Sequence, residues 1–168
     1  MLLVTQGCVV ADPPEYQEPV QTLPLLEVYK AVPSTTDIVV WSTGSPAVNF
    51  SIPVRSEDAG EPLAAYTFTD YGTSQERFYN GQNVAASTYD QKSRNIVISW
   101  TPGVSPGCHI FTLVVAHRSS FQSADAVHLD PAKAGDDAAL VSWWANINPT
   151  DNDVNTLKDC PRAGLPTL

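Results

Sequence analysis

Three cysteines and three histidines are the side chains in this sequence best suited to nucleophilic or metal chemistry. Cys108 and His109 are neighbours, which suggests a thiol nucleophile beside its general base. They begin an apolar segment with the composition of a β-strand, in which consecutive side chains point to opposite faces. The thiol and the imidazole should therefore not meet, and the sequence predicts no catalytic cysteine.

The spacing of the histidines limits metal binding. His109 and His117 share one face of the predicted strand but are eight residues apart, which is about 26 Å at 3.3 Å per residue, so they cannot hold one metal. A metal held by His117 and His128 stays open as an alternative. The sequence contains no Ser-His-Asp order, phosphate-binding loop or zinc-ligand spacing. It therefore predicts neither an enzyme nor a bound cofactor.

An acidic turn is the second candidate site. Glu57, Asp58 and Glu61 lie within five residues of one another, and carboxylate oxygens are the ligands that Ca²⁺ prefers. Calcium binding is one interpretation of this turn. The alternative is a solvated turn, in which Asp and Gly serve the backbone conformation.

Aromatic residues in two predicted long connections form the third candidate. The connections are Gly72–Arg94, expected to contain one short strand, and Arg118–Asp137. Their aromatic residues are Phe78, Tyr79, Tyr89 and Phe121. These side chains are interpreted either as a surface that binds a protein or a glycan, or as a cover over one end of the core.

Apolar patterns predict the strands that position these residues. The segment Asn95–Trp100 has one wholly apolar face. Ile110–Ala116 is apolar on both faces except for Thr112, which predicts a central strand covered on both sides. Val48–Arg55 alternates as a half-buried strand, in which Pro53 lacks a backbone donor and so predicts an edge or a bulge.

About seven short strands predict an all-β, immunoglobulin-like or fibronectin-III-like β-sandwich over residues 25–148. Antibody domains join their second and sixth strands by a disulfide that packs against a Trp. Here Val48–Arg55 contains no Cys and Leu63–Tyr71 contains no Trp. The likeness is to the architecture and not to the antibody family.

Composition narrows the function classes. The net charge is −9, with 43% hydrophobic and 16% charged residues and 14 prolines. Low charge with many turn residues favours an extracellular all-β domain. An acidic chain without a basic run repels phosphate backbones, so nucleic-acid binding is not expected.

The N-terminus predicts a membrane anchor. Residues 1–8 end in Gly7-Cys8 after a short apolar run, which is similar to the end of a bacterial lipoprotein signal whose cysteine receives the lipid. Thr5 departs from that pattern, which prefers Leu. Residues 9–24 form a proline-rich acidic spacer that cannot fold alone. The alternative is an accidental Gly-Cys pair in an ordinary terminal tail.

Three short motifs carry a resemblance to a family. They are Glu57-Asp58-Ala59-Gly60-Glu61, Pro106-Gly107-Cys108-His109 and Trp143-Trp144. Together, from Pro24 to Pro161, the chain resembles cell-envelope lipoproteins of myxobacteria and related deltaproteobacteria. The resemblance implies an immunoglobulin-like domain, a lipid on Cys8 and a place at the outer membrane or in the periplasm. The function that we predict from the whole sequence is binding or scaffolding of surface components, with a secreted, non-lipidated adhesion or accessory module as the alternative.

The two remaining cysteines predict a structural disulfide. If Cys8 carries a lipid, Cys108 and Cys160 are left to pair, as suits an oxidising compartment. Their bond would tie the C-terminal tail, residues 149–168, to the start of the central strand. Closing a loop of about 53 residues contributes roughly 4 kcal/mol in the chain-entropy model.

Peptide mass mapping of the non-reduced protein tests this pairing. We expect one cross-linked peptide pair containing Cys108 and Cys160, with Cys8 outside the bond. Replacing either paired cysteine with Ser should lower the free energy of unfolding, because the unfolded chain gains freedom. Free thiols at both positions in periplasmic protein, or Cys8 bonded to either, would contradict the prediction.

Overall fold

The computed structural model describes residues 21–88, 93–121 and 138–150. Within these ranges the chain forms eight strands. They are β1 (Leu25–Leu26), β2 (Val39–Trp41), β3 (Val48–Arg55), β4 (Leu63–Thr69), β5 (Arg77–Val84), β6 (Arg94–Trp100), β7 (Gly107–His117) and β8 (Ala139–Ile147). No helix in the same ranges is long and apolar enough to cross a membrane.

The strands form two sheets that share one core. The small sheet has the order β1-β3-β6, and the large sheet has the order β2-β8-β7-β4-β5. The first two strands divide between the sheets, since β1 pairs antiparallel with β3 while β2 pairs parallel with β8. This arrangement is an immunoglobulin-like β-sandwich, and it confirms the predicted fold class.

Four aromatic side chains join the two sheets at the centre. The ring of Phe50 on β3 lies 4.6 Å from that of Phe111 on β7 and 4.8 Å from that of Trp143 on β8. Trp100 on β6 stacks on Phe111 at 4.7 Å. In antibody domains a disulfide connects the strands equivalent to β3 and β7. Here the aromatic contact takes that place.

Strand β7 is buried on both faces, as its continuous apolar sequence predicts. Phe111, Leu113 and Val115 point into the shared core. Val114, on the opposite face, is only 1% exposed. A smaller apolar cluster formed by Ala64, Ala116 and Phe121 also lies on that outer face. The prediction of a central strand covered on both sides is confirmed.

Pro53 does not mark an edge, and that prediction is wrong. Strand β3 is the middle strand of the small sheet. The carbonyl of Pro53 accepts a hydrogen bond from the N–H of Glu27, so the backbone groups of Pro53 face β1. Strand β1 contains only two residues, which pair with Val54 and Arg55. The N–H that Pro53 lacks would therefore point toward β1 at a position where the pairing of the two strands has already ended.

The segment Gly72–Arg94 is more ordered than predicted. It contains the eight-residue strand β5, which forms one edge of the large sheet. Five of its residues are exposed, and this polarity conceals the strand in the sequence. The register between β4 and β5 shifts between Thr67 and Phe68, where β5 holds one extra residue.

Truncating the central aromatic residue should show how much the core depends on it. Phe111→Ala removes a fully buried ring, and we expect the free energy of unfolding in urea to fall by about 3–5 kcal/mol. Phe78→Ala is the matched control, because that ring is 47% exposed; its effect should be about 1 kcal/mol or less. Equal losses for the two variants would contradict this account of the core.

Candidate functional site

Two buried histidines occupy opposite ends of β7, each beside an aspartate. His109 Nδ1 lies 2.7 Å from Asp70 Oδ2, and His117 Nε2 lies 3.1 Å from Asp58 Oδ2. Both histidines point to the core side of β7, as the sequence predicts, and the length of the strand separates them. The two sites are therefore independent.

His109 is held as a donor on both ring nitrogens. Besides its contact with Asp70, its Nε2 lies 2.9 Å from the carbonyl oxygen of Ser105. A carbonyl and a carboxylate only accept hydrogen bonds, so both nitrogens carry protons and the ring is an imidazolium. The hydrogen bond that His109 donates to Asp70 raises the pKa of His109, and this outweighs the burial that would lower it.

Asp70 connects the turn after β4 to the start of β7. Its Oδ1 accepts the backbone N–H of Ile110 at 3.1 Å, and its own N–H donates to the Ile110 carbonyl at 2.7 Å. Its φ of 57° lies in the left-handed region, which Asp tolerates better than most residues because its short side chain bonds locally. Asp70 is not among the residues predicted from the sequence, although its place at the end of an apolar strand, two residues before Gly72, is a signal of a turn.

A polar cleft of about 440 Å³ opens above His109. Its lining consists of Asp70, Ser74, Gln75, Glu76, Arg77, Val104, Ser105 and His109. The carboxylate of Glu76 accepts the N–H of Gly72, so it holds the turn in place. No side chain of this lining is arranged as an activated nucleophile, because the imidazole has no nitrogen left to accept a proton.

The site at His117 brings Ser, His and Asp together without forming a catalytic triad. Ser56 Oγ lies 3.4 Å from His117 Nε2, the same nitrogen that faces Asp58. A triad needs the carboxylate on one ring nitrogen and the hydroxyl on the other. His117 is also 0% exposed, so no substrate reaches it. The cluster is structural.

The acidic turn uses Asp58 to hold the start of the domain. Asp58 Oδ2 accepts both the N–H and the hydroxyl of Thr22, at 2.8 and 3.0 Å. Among the described residues no three His, Cys, Asp or Glu side chains converge to hold a metal ion. Glu57, Asp58 and Glu61, interpreted above as calcium ligands, therefore do not form such a cluster in the described structure.

The predicted aromatic residues divide between the two faces of the large sheet. Phe78 and Tyr79 are consecutive residues, and they point to opposite faces of β5. Phe78 lies on the outer face over Phe68, with ring centroids 5.8 Å apart, while Tyr79 points inward to Phe111 at 6.1 Å. Phe78 and the buried Phe121 both contact Tyr66, at 6.1 and 4.5 Å. Phe78 and Phe121 therefore belong to one outer-face aromatic cluster without Tyr79, and binding of a ligand by these residues stays a prediction.

Several predicted residues lie outside the described ranges, namely Cys8, Tyr89, His128 and Cys160. Cys108 is described. It is buried at the start of β7 on the face opposite to His109, which agrees with the prediction that the two side chains do not meet. Its pairing with Cys160 stays a prediction.

Comparison with known proteins adds one structural likeness. No protein-family model and no curated protein matches the chain. Among solved structures, it is similar to the CARDB domain of the PF1109 protein from Pyrococcus furiosus, solved in complex with di-metal ions. That likeness covers 78% of this chain and 100% of the other, at 11% identity and a TM-score of 0.40. The class of this protein, an immunoglobulin-like β-sandwich module, rests on its own strand order and register.

The imidazolium of His109 should make stability depend on pH. Because its pKa is raised in the folded state, its contribution is complete below the unfolded value of about 6.5. The contribution is lost as the pH rises through the folded pKa. Urea unfolding of the wild type from pH 5.5 to 9 should show this loss, and His109→Gln should lack it. An unchanged pH profile in the variant would contradict the assignment.

Proposed function

We propose that this protein is a non-catalytic cell-envelope module, anchored by a lipid on Cys8, that binds or scaffolds other surface components. The observation that carries the proposal is the position at which the chain enters the sandwich. Thr22 is bonded to Asp58 and Gln21 to Ser119, so these two residues are held at one end of the sandwich. An anchor at Cys8 then attaches to that end.

The spacing between the anchor and the domain supports this arrangement. Residues 9–20 contain three prolines, three acidic residues and no basic residue. The negative charge of such a segment would keep it away from an anionic membrane surface. The cleft above His109 lies at the opposite end of the sandwich, beside the start of β7. An anchored molecule would present that end and the sides of the sandwich to its surroundings.

The chemistry of the two histidine sites also favours binding over catalysis. His109 donates from both nitrogens to fixed acceptors, and His117 is fully buried. Neither imidazole is placed to accept a proton from a substrate. A partner that binds the described part of the chain would therefore contact exposed backbone and side-chain surfaces.

Cell fractionation of a cysteine variant tests the anchor. The gene should be expressed from its natural chromosomal locus. We expect wild-type protein in the detergent-extractable membrane fraction, labelled by a fatty-acid analogue, and Cys8→Ser in the soluble fraction without label. Thr5→Leu is the matched control, because it restores the preferred signal residue and should leave the protein lipidated. Soluble, unlabelled wild-type protein would instead support the secreted adhesion or accessory module.

A further inference from the structure

The hydrogen bonds of β3 determine which backbone groups in the small sheet already have partners. Ser51 on β3 exchanges two backbone hydrogen bonds with Val32, at 2.7 and 2.8 Å. Its N–H and C=O therefore point away from β6. In an antiparallel ladder the direction alternates from one residue to the next. The backbone groups of Phe50 and Ile52 consequently point toward β6.

The same alternation leaves an open edge on β6. Phe50 is paired with Ile98 and Ile52 with Ile96, so the backbone groups of these isoleucines face β3. Those of Asn95 and Val97 face the other way, where no strand formed by the described residues continues the small sheet. Among the described residues, no backbone hydrogen bond reaches Asn95 or Val97 from that side. The Val97 side chain is 57% exposed beside this edge.

Tyr79 limits how long the open edge is. Its hydroxyl donates to the carbonyl of Ser99 at 2.9 Å and accepts the N–H of Thr101 at 3.1 Å. Tyr79 comes from β5 in the large sheet, and it closes the C-terminal end of the β6 edge. The accessible part is the stretch from Arg94 to Val97.

Arg94, at the start of this stretch, has two guanidinium nitrogens without an acceptor among the described residues. Its Nη1 donates to the Ala85 carbonyl, whereas Nε and Nη2 are buried and have no hydrogen-bond partner there. Burial also lowers the pKa of Arg94. Buried polar groups without partners are rare in native proteins. A carboxylate best matches two guanidinium N–H groups, because it binds them in parallel, and it would reach them once the Arg94 side chain turns outward.

We propose that β6 binds an extended, acidic segment of a partner protein as an added antiparallel strand, with a carboxylate against Arg94. The inference rests on the proposed binding function and names the chemistry of the partner. Added strands gain affinity from main-chain hydrogen bonds and specificity from alternate side chains. The register requires an apolar residue beside Val97 and, three positions later, an acidic residue beside Arg94.

Local charge favours such a partner although the whole chain is acidic. Near the start of β6, Arg55 and Lys30 share the single carboxylate of Glu27, at 2.7 and 2.9 Å. With Arg94, the charged groups described around this edge sum to about +2. At physiological ionic strength the Debye length is about 8 Å. Among the described charged groups, the start of β6 is therefore net positive.

A synthetic peptide and amide hydrogen exchange test the site in the full-length protein. The probe is acetyl-Thr-Val-Val-Thr-Glu-Thr-amide, whose Val and Glu meet the required register, and the comparison peptide has Gln in place of Glu. Without peptide, the amides of Asn95 and Val97 should exchange fast and those of Ile96 and Ile98 slowly. The Glu peptide should protect Asn95 and Val97, and should bind about tenfold more tightly than the Gln peptide, equivalent to one charge-assisted hydrogen-bonded contact.

Val97→Pro is the matched blocking variant. The Val97 N–H faces the open edge, so proline there removes no hydrogen bond of the sheet and suits an edge position. We expect an unchanged fold by circular dichroism and at least tenfold weaker peptide binding. Val97→Thr keeps the N–H, and it should bind within about threefold of the wild type.

Two outcomes would overturn the proposal. Equal binding by wild type and Val97→Pro would place the peptide elsewhere, and protection of Asn95 and Val97 that rises with protein concentration alone would show that a second copy occupies the edge. The proposed function is tested separately from the binding site on β6. If cross-linking in cells captures the same envelope protein with wild type and Val97→Pro, the module binds a partner but not through β6.

Discussion

The contact between Phe50 and Phe111 is the constraint on which the rest of the sandwich depends. It joins the middle strand of the small sheet to the central strand of the large sheet, and Trp100 and Trp143 enclose it from the neighbouring strands. Aromatic rings bury large areas and pack in tilted or offset arrangements. The centre of the domain is therefore held by packing where antibody domains use a covalent bond, and this centre does not depend on the redox state of its surroundings.

Hydrogen bonds between histidine and aspartate hold the two ends of β7 against their neighbouring turns. Asp70 fixes the turn after β4, and Asp58 joins the turn after β3 to the first residues of the domain. Each pair brings a charged or polar group into a buried position, which is tolerated only when the group is hydrogen-bonded. This explains why two pairs with catalytic residue types serve structure. Their donors and acceptors are used by the protein itself.

Local patterns predicted the strands better than they predicted the sites. The bounds of Val48–Arg55 coincide with β3, because alternation of apolar residues records a half-buried strand directly. Strand β5 was predicted only as one short strand without bounds in a long connection, because an edge strand with mostly exposed residues has no such alternation. The partner of His109 is 39 residues away in sequence, and no local pattern encodes a contact at that distance. The open edge of β6 likewise follows from strand order, which the sequence does not state.

The parallel pairing of β2 with β8 gives the domain a mechanical direction. The chain joins the sandwich beside the end of β7, whereas β8 ends beside the start of β7. Tension between the N-terminus and the end of β8 would thus pull β2 and β8 along their length in opposite directions. Their three registered pairs, Val39–Ala145, Val40–Asn146 and Trp41–Ile147, would resist that tension together, as a joint loaded in shear, and would not open one after another.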